Sequence, residues 1–251
     1  MTDGRLLISL CTYNERENLA DLVAGLQAHA TKAAVLIFEH NSADATGASA
    51  DELAAADPRI HVMHREGKLG LGSATLAAFE YAVEAGYEFL LNMDADFSHH
   101  PRYIPAIMDC MSHADVAIGS RYVPGGDVVG WGFKRHFMSR GVNFYARSLL
   151  GLKTMDNSGA FRCYRVAKLQ ELDFGKIRAT GYAFQEEILY RLSRIGCRFA
   201  ETPIVFEDRR YGSSKINMWE SVTAVWVIFR LGIDRVLRVP VARDTTPAVS
   251  D

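Results

Sequence analysis

The strongest constraint on this chain is the rhythm of its first 120 residues. Short apolar runs (Leu6–Cys11, Ala34–Phe38, Ile60–Met63, Phe89–Met93 and Val116–Ile118) alternate with segments of helical period. Those segments are Glu15–His29, Thr46–Ala56, Leu71–Ala85 and Pro101–Met111. Parallel strands cannot be joined by a hairpin; each pair needs a crossover of a dozen or more residues, usually a helix. The alternation therefore predicts an α/β fold with a mostly parallel sheet flanked by helices. Pro101 suits a first helical turn, with Ser98 as its cap.

The rhythm changes after Gly119. Residues 120–135 are rich in Gly and Arg and read as a functional loop rather than a core element. Helices are predicted over Phe137–Leu150, Ala167–Leu172 and Ala183–Ile195, and a strand over Phe199–Phe206. A basic loop, Glu207–Lys215, leads into a C-terminal helical extension, Met218–Val239. With 251 residues, the expectation is one domain over 1–239 and a disordered tail over 240–251.

Composition narrows the functional classes. Lys plus Arg is 28 and Asp plus Glu is 30, a net charge of -2, so nothing points to a general nucleic-acid binder. Cys11, Cys110, Cys163 and Cys197 are scattered, with no C-x-x-C pair for a zinc ribbon or thioredoxin-type site. There is no G-x-S-x-G elbow. No apolar run approaches the ~20 residues of a membrane span, and the first apolar stretch is too short for a signal peptide. The expectation is a cytoplasmic protein, soluble or peripheral at a membrane.

Four features can carry chemistry. Asp94 and Asp96 flank Ala95 directly after the fourth apolar run. Residues i and i+2 of an extended chain share a face, here at the carboxyl end of a parallel sheet, where ligands sit. Two close carboxylates repel unless a cation lies between them, which points to a hard divalent ion. The plain alternative is a turn with a helix cap. The second feature, Cys11 through Asn18, joins the first strand to the first helix: Tyr13 could stack on a base and Glu15 could accept hydrogen bonds from one. Alternatively, Asn14 caps the helix and Glu15 and Glu17 complement its dipole. The third, Gly67-Lys68-Leu69-Gly70-Leu71-Gly72, could bring backbone N–H groups and a lysine to a phosphate, or simply make a tight turn. The fourth is a basic set, Arg121, Lys134, Arg135, Arg140, Arg209, Arg210 and Lys215: a solvated surface or a phosphate site.

Together these segments resemble a known family. Thr12 through Leu19, Lys68 through Gly72, Met93 through His99, Gly119 through Tyr122, Asp156 through Arg162, Gly181 through Gln185 and Pro203 through Lys215 are similar to dolichol-phosphate mannosyltransferases. These enzymes, also called polyprenol-monophosphomannose synthases, are inverting family 2 glycosyltransferases with a GT-A fold. The resemblance spans about residues 5–237. It implies transfer of a sugar, mannose from GDP-mannose foremost, to a polyprenyl monophosphate, with Mg²⁺ or Mn²⁺. It implies a nucleotide-sugar site of Thr12, Tyr13, Glu15, Glu39, Asn41, Lys68, Gly70, Asp94, Ala95 and Asp96. The metal would lie on Asp94, Asp96 and Ser98, and the acceptor phosphate on Arg121, Arg135, Arg209 and Lys215. A UDP-sugar donor, a hydroxyl acceptor or a non-catalytic nucleotide-sugar binder are the rival readings.

The chain departs from the family pattern in places. Cys11 stands where a proline is usual, and Ser158-Gly159-Ala160 replaces a Thr-Ser-Gly run. Glu39-His40 replaces the usual Asp-Asp pair that helps bind the nucleotide. Trp219 through Leu237 combines aromatic and aliphatic residues with Arg230, Arg235 and the adjoining Arg238, which suits an interfacial helix, a core helix, or both on different faces.

Overall fold

The computed structural model describes residues 5–67, 70–181, 183–208 and 218–242, with side chains for all of these except 218–221. Each apolar run of the first half becomes a strand. These are β1 (Leu6–Thr12), β2 (Ala34–Glu39), β3 (Ile60–His64), β4 (Phe89–Asp94) and β5 (Val116–Ser120). The intervening helices are α1 (Arg16–His29), α2 (Thr46–Ala56), α3 (Leu71–Glu84) and α4 (Ile104–Cys110). The second half adds β6 (Asp127–Val129), α5 (Phe133–Leu150), β7 (Arg162–Arg165), α6 (Val166–Gln170), α7 (Phe184–Arg194), β8 (Phe199–Pro203), β9 (Val205–Glu207) and α8 (Met218–Val236).

The main sheet has seven strands in the order β3-β2-β1-β4-β7-β5-β8. All its pairings are parallel except those of β7, which runs antiparallel to β4 and β5. Strands buried on both faces need apolar residues at every position, which is why they read as runs. Alternate residues serve opposite faces: Leu7, Leu36 and Phe38 join one core cluster, Ile8, Leu10, Val35 and Ile37 the other. From β1 the chain builds outward to β2 and β3 on one side and to β4 on the other. The loops after β1 and β4 diverge there, opening the crevice expected at a topological switch point. Register sets Cys11 beside Asp94 and Thr12 beside Glu39 at its rim.

Several expectations change. The cap of the turn at Pro101 is His100, whose ring accepts the Arg102 N–H at 3.1 Å; Ser98 is turned toward Asp96 instead. Part of the 120–135 loop is strand β6, paired in parallel with β9 in a small second sheet. The strand predicted over Phe199–Phe206 is two strands in two sheets, and α5 starts at Phe133 rather than Phe137. Strand β7 has no counterpart in the sequence reading. Its Arg-Cys-Tyr-Arg sequence carries no apolar run, and Arg162 is fully buried because its guanidinium donates to Gln185 O and Asn157 O. At the chain's end, Val241 is buried and Ala242 bridges to Leu172, so residues 240–242 dock where a tail was expected.

Candidate active site

The site is built around the turn after β4. Asp94 ends the strand with its side chain about a third exposed, whereas Asp96 is buried. Asp96 Oδ1 accepts the Ser98 N–H at 3.0 Å and the Ser98 hydroxyl at 2.5 Å, and Phe97 between them takes the left-handed conformation, φ 63°. The buried His99 holds the turn from behind. Its ring stacks on Phe161 at 5.0 Å and meets Phe206 edge-on at 5.4 Å. Its Nδ1 accepts the Asp94 N–H at 3.0 Å, so that nitrogen carries no proton. Burial lowers the His99 pKa against the opposing pull of Asp94 and Asp96. A neutral imidazole thus fixes the backbone beneath two carboxylates. Their hard oxygens fit a Mg²⁺- or Mn²⁺-like ion, which typically takes one or two carboxylates and completes its shell with water and substrate phosphate. Among the described residues there is no group of three or more His, Cys, Asp and Glu side chains that could hold a metal ion.

The loops of the first half are laced together by side-chain-to-backbone bonds. The Thr12 hydroxyl donates to Phe38 O at 3.1 Å, and His40 Nδ1 lies 3.0 Å from Thr12 O. Asn14, at φ 57°, does not cap α1. The N–H groups of Asn14, Glu15 and Arg16 donate across to Ser42 Oγ, Thr46 Oγ1 and Asp44 Oδ2, from the loop after β2 and the first residue of α2. That loop is held by Glu39, whose carboxylate accepts Asn41 N–H at 3.0 Å and Ser42 N–H at 2.7 Å. Burial pushes the Glu39 carboxyl up, but its bonds from Ser42 and Asn41 outweigh this and hold it low. A Glu at this position reaches back to its own loop, one methylene further than an Asp would. Glu15 Oε2 accepts from Asn18 Nδ2 at 2.8 Å. Gly70, at φ 89°, and Gly72 let the start of α3 meet the 179–184 segment. Gly72 N–H donates to Thr180 O at 2.9 Å, and a Cβ on either glycine would strike that segment. Lys68 lies outside the described residues.

The second half supplies cations. Arg121 is buried, its Nε and Nη2 donating to the two oxygens of the fully buried Asp156, each at 2.7 Å. Burial pushes the Asp156 carboxyl up, but the adjacent guanidinium overcomes it and holds the group ionised. Arg135 is about a third exposed, lies 4.0 Å over the Trp131 ring and donates to both Asp208 oxygens at 3.2 Å. Trp131 also faces the Arg121 guanidinium, at 5.6 Å, and packs on Phe206, which packs on His99. This aromatic chain brings Arg121 and Arg135 to the Asp94 turn. Arg140 sits over Tyr122 at 5.8 Å, and Lys134 is exposed. Arg209, Arg210 and Lys215 lie outside the described residues.

Comparison with known proteins decides the family. The sequence profile of Glycosyl transferase family 2 matches residues 8–173. The chain is 41% identical over 231 residues to the polyprenol monophosphomannose synthase of Mycolicibacterium smegmatis, covering 91% of this chain and 87% of that one. It is 40% identical over 213 residues to the undecaprenyl-phosphate mannosyltransferase of Micrococcus luteus, covering 85% and 88%. The chain belongs to glycosyl transferase family 2. The fold is shared with glucosyl-3-phosphoglycerate synthase from Mycobacterium tuberculosis, solved with Mn²⁺, UDP and phosphoglyceric acid: TM-score 0.61, 16% identity, 94% of this chain and 78% of that one. S. aureus TarS 1–349 with UDP-GlcNAc gives TM-score 0.55 at 16% identity, covering 94% and 73%. The α/β, mostly parallel GT-A architecture is thus as expected.

Sequence reasoning missed several residues of this glycosyltransferase. Asp156 and Asp208 lay inside family-like segments without a role, and Trp131 carried no signal. Glu186, in the first turn of α7, is the most consequential. It is buried, and its Oε2 has no hydrogen-bond partner among the described residues. Burial above all, with Asp156 adding to it and Arg162 and Arg121 opposing, pushes its pKa up to about 7. In the sequence, Gln185-Glu186-Glu187 resembles an ordinary acidic helix start, as Glu187 itself illustrates by accepting from Arg191 Nε and the Ala179 N–H.

Proposed function

We propose that this chain transfers mannose from GDP-mannose to a polyprenyl monophosphate, with inversion, as a GT-A domain peripheral to the cytoplasmic face of a membrane. The observation that carries this reading is the juxtaposition of the Asp94–Asp96 turn with Arg121 and Arg135 across Trp131 and Phe206. The mannosyl and polyprenyl-phosphate assignments are supported by the likeness to a polyprenol monophosphomannose synthase and an undecaprenyl-phosphate mannosyltransferase. Among the described residues no helix is long and apolar enough to cross a membrane.

Asp94 and Asp96, with Ser98 beside them, would hold a divalent ion. When bound, that ion supplies Lewis-acid neutralisation of the departing diphosphate, an effect of several kcal/mol. The chain's own residues do the rest. A monophosphate acceptor, with a second pKa near ~6, is already anionic at neutral pH and needs no general base. The enzyme must instead hold two phosphate groups together against their repulsion, by positioning and fixed positive charge. Arg121 is locked on Asp156 and orients its guanidinium rigidly. Arg135 is different: its pair with Asp208, about a third exposed on each side, is worth only about 0–1 kcal/mol, so a phosphate dianion competes for it readily. Arg209 and Lys215 belong to the same acceptor set, and Thr12, Tyr13, Glu15, Glu39, Asn41, Lys68, Gly70 and Ala95 to the donor side. Attack opposite the leaving group turns an α-linked donor into a β-linked product.

Glu186 favours a second reading. A buried carboxyl poised near neutrality is what a hydroxyl acceptor would require as a base. One experiment separates the two: transfer from a panel of labelled GDP- and UDP-sugars to polyprenyl phosphate and to unphosphorylated polyprenol. The expected result is metal-dependent transfer from GDP-mannose to the phosphate alone. Equal transfer to both acceptors would overturn the phosphate reading, and a UDP-sugar preference would overturn the donor.

A further inference from the structure

Below the rim of the site lies a layer of buried polar side chains. Ser9 of β1, Asn92 of β4 and Arg162 of β7 occupy one register across the sheet, two residues before Asp94 and on its face. Tyr164 of β7 and Gln185 and Glu186 of α7 are buried as well. All six side chains carry a polar atom with no hydrogen-bond partner among the described residues.

The charges of this region do not balance in pairs. Arg121 and Asp156 cancel as a buried bidentate pair. Arg162 is fully buried, yet its guanidinium donates to carbonyls, Gln185 O at 2.8 Å and Asn157 O at 2.6 Å. Those dipoles solvate its charge without cancelling it. The remaining carboxyl is Glu186. Burial and Asp156 oppose its ionisation, whereas its own backbone N–H, Arg162 and Arg121 favour it. The phenol of Tyr164 lies beside Arg162 and is held protonated by burial. Glu187, next in the chain, is engaged elsewhere, with the Arg178 and Ala179 N–H groups and Arg191.

Arg121, Asp156, Arg162 and Glu186 together carry one net positive charge while Glu186 is protonated and none once it ionises. With its pKa pushed up to about 7, both states are populated near neutrality. A buried charge is little screened by salt, so it is felt by an anion held at Arg121.

We propose that Glu186 is a positioning residue that acts through Arg162 and Arg121 to set the affinity of the site for an anionic acceptor. Protonated, it leaves Arg162 uncompensated and strengthens anion binding; ionised, it cancels that charge and weakens binding. The inference rests on the phosphate-acceptor reading above. The coupling is reciprocal, so a bound anion raises the proton affinity of Glu186 and binding near neutrality takes up protons from solution.

A prenyl phosphate changes its own charge near the same pH. The test therefore uses a short, water-soluble prenyl sulfate, whose single charge is constant, beside the matching phosphate. Calorimetry on the full chain, in buffers of different ionisation enthalpy, reads affinity and proton uptake together. The wild type should bind the sulfate about tenfold more tightly at pH 6 than at pH 8, with proton uptake at pH 7. Glu186→Gln should keep the tighter affinity at both pH values and lose most of the uptake, while Glu186→Asp should retain the pH dependence. In turnover, Glu186→Gln should lower the acceptor KM at pH 8 rather than change kcat. His136, against Trp131 at 5.8 Å, would give a pH dependence of the same sign, but one that survives Glu186→Gln. An unaltered pH dependence in that variant would therefore overturn the inference. So would wild-type binding at pH 7 without proton uptake, which needs no variant to measure. A kcat lost at every pH with sulfate binding unchanged would overturn it too, in favour of a base for a hydroxyl acceptor. A wild type that binds neither anion would remove the acceptor reading itself, and this inference with it.

Discussion

The two rims of the crevice use carboxylates in opposite ways. On the first, Glu39 and Asp44 accept backbone N–H groups, from Asn41 and Ser42 in one case and from Arg16 and Thr46 in the other. Acidic side chains there shape loops. On the second rim, Asp156 and Asp208 accept from arginines, so acidic side chains there position cations. Glu186 follows neither pattern, being buried with an oxygen that has no hydrogen-bond partner among the described residues. The contrast teaches that charge at this site is distributed by burial. A dry pair such as Arg121–Asp156 is fixed, a wet one such as Arg135–Asp208 is exchangeable, and loop carboxylates are neutralised by dipoles rather than by cations.

The largest effect should come from breaking the dry pair. Asp156→Ala leaves the Arg121 guanidinium buried without its carboxylate, a loss of about 3–5 kcal/mol in denaturant unfolding. Asp156→Leu combined with Arg121→Met should be milder than Asp156→Ala alone; an equal or larger loss would show that the pair is not an electrostatic unit. Asp94→Asn comes next. Its side chain is partly exposed, so stability should hold while turnover falls at least a hundredfold, about 3 kcal/mol of transition-state stabilisation. Wild-type activity of this variant, or full activity in excess chelator, would remove the metal role from the turn.

The third prediction sets the signs of two titrations against each other. The Glu186 pKa lies above its unfolded value, so the folded state binds its proton more tightly. Stability is therefore lost as pH rises from about 4.5 through about 7, by on the order of 2–3 kcal/mol. Glu186→Gln, which mimics the protonated form, should flatten that slope in melting curves and be the more stable protein at pH 8. Glu39 and Asp44 are held low, so their contribution is present above the ordinary carboxylate range and is lost as pH falls through it. Glu39→Gln should therefore weaken the acid-side slope, cost about 1–2 kcal/mol and raise the donor KM. The smallest effect belongs to the wet pair. Arg135→Lys keeps the charge but loses the planar fork, so the acceptor KM should rise about tenfold with little change in donor affinity by calorimetry. No change would place Arg135 on a merely solvated surface.

Much of this was legible from sequence because the first half is local. Strands β1 to β5 announce themselves as apolar runs, since double burial demands it, and Asp94 and Asp96 follow one of them directly. Their shared sheet edge follows from parallel topology alone. What sequence could not supply are relations across long separations. Arg121 meets Asp156 from 35 residues away and Arg135 meets Asp208 from 73 away, and neither pairing leaves a periodic trace. Strand β7 was unreadable because Arg162 is buried by hydrogen bonds to backbone carbonyls that only the folded chain brings near.

The amino-acid sequence by itself determined the alternating architecture, the carboxylate turn at its edge and the family, because these rest on patterns a few residues long. Tertiary structure alone decided which charges are fixed, exchangeable or suppressed. It turned Glu39 back onto its loop, buried Arg121 against Asp156, left Arg135 within reach of solvent and pushed Glu186 toward neutrality. Desolvation and partner distance set those properties, and both exist only once the chain has folded.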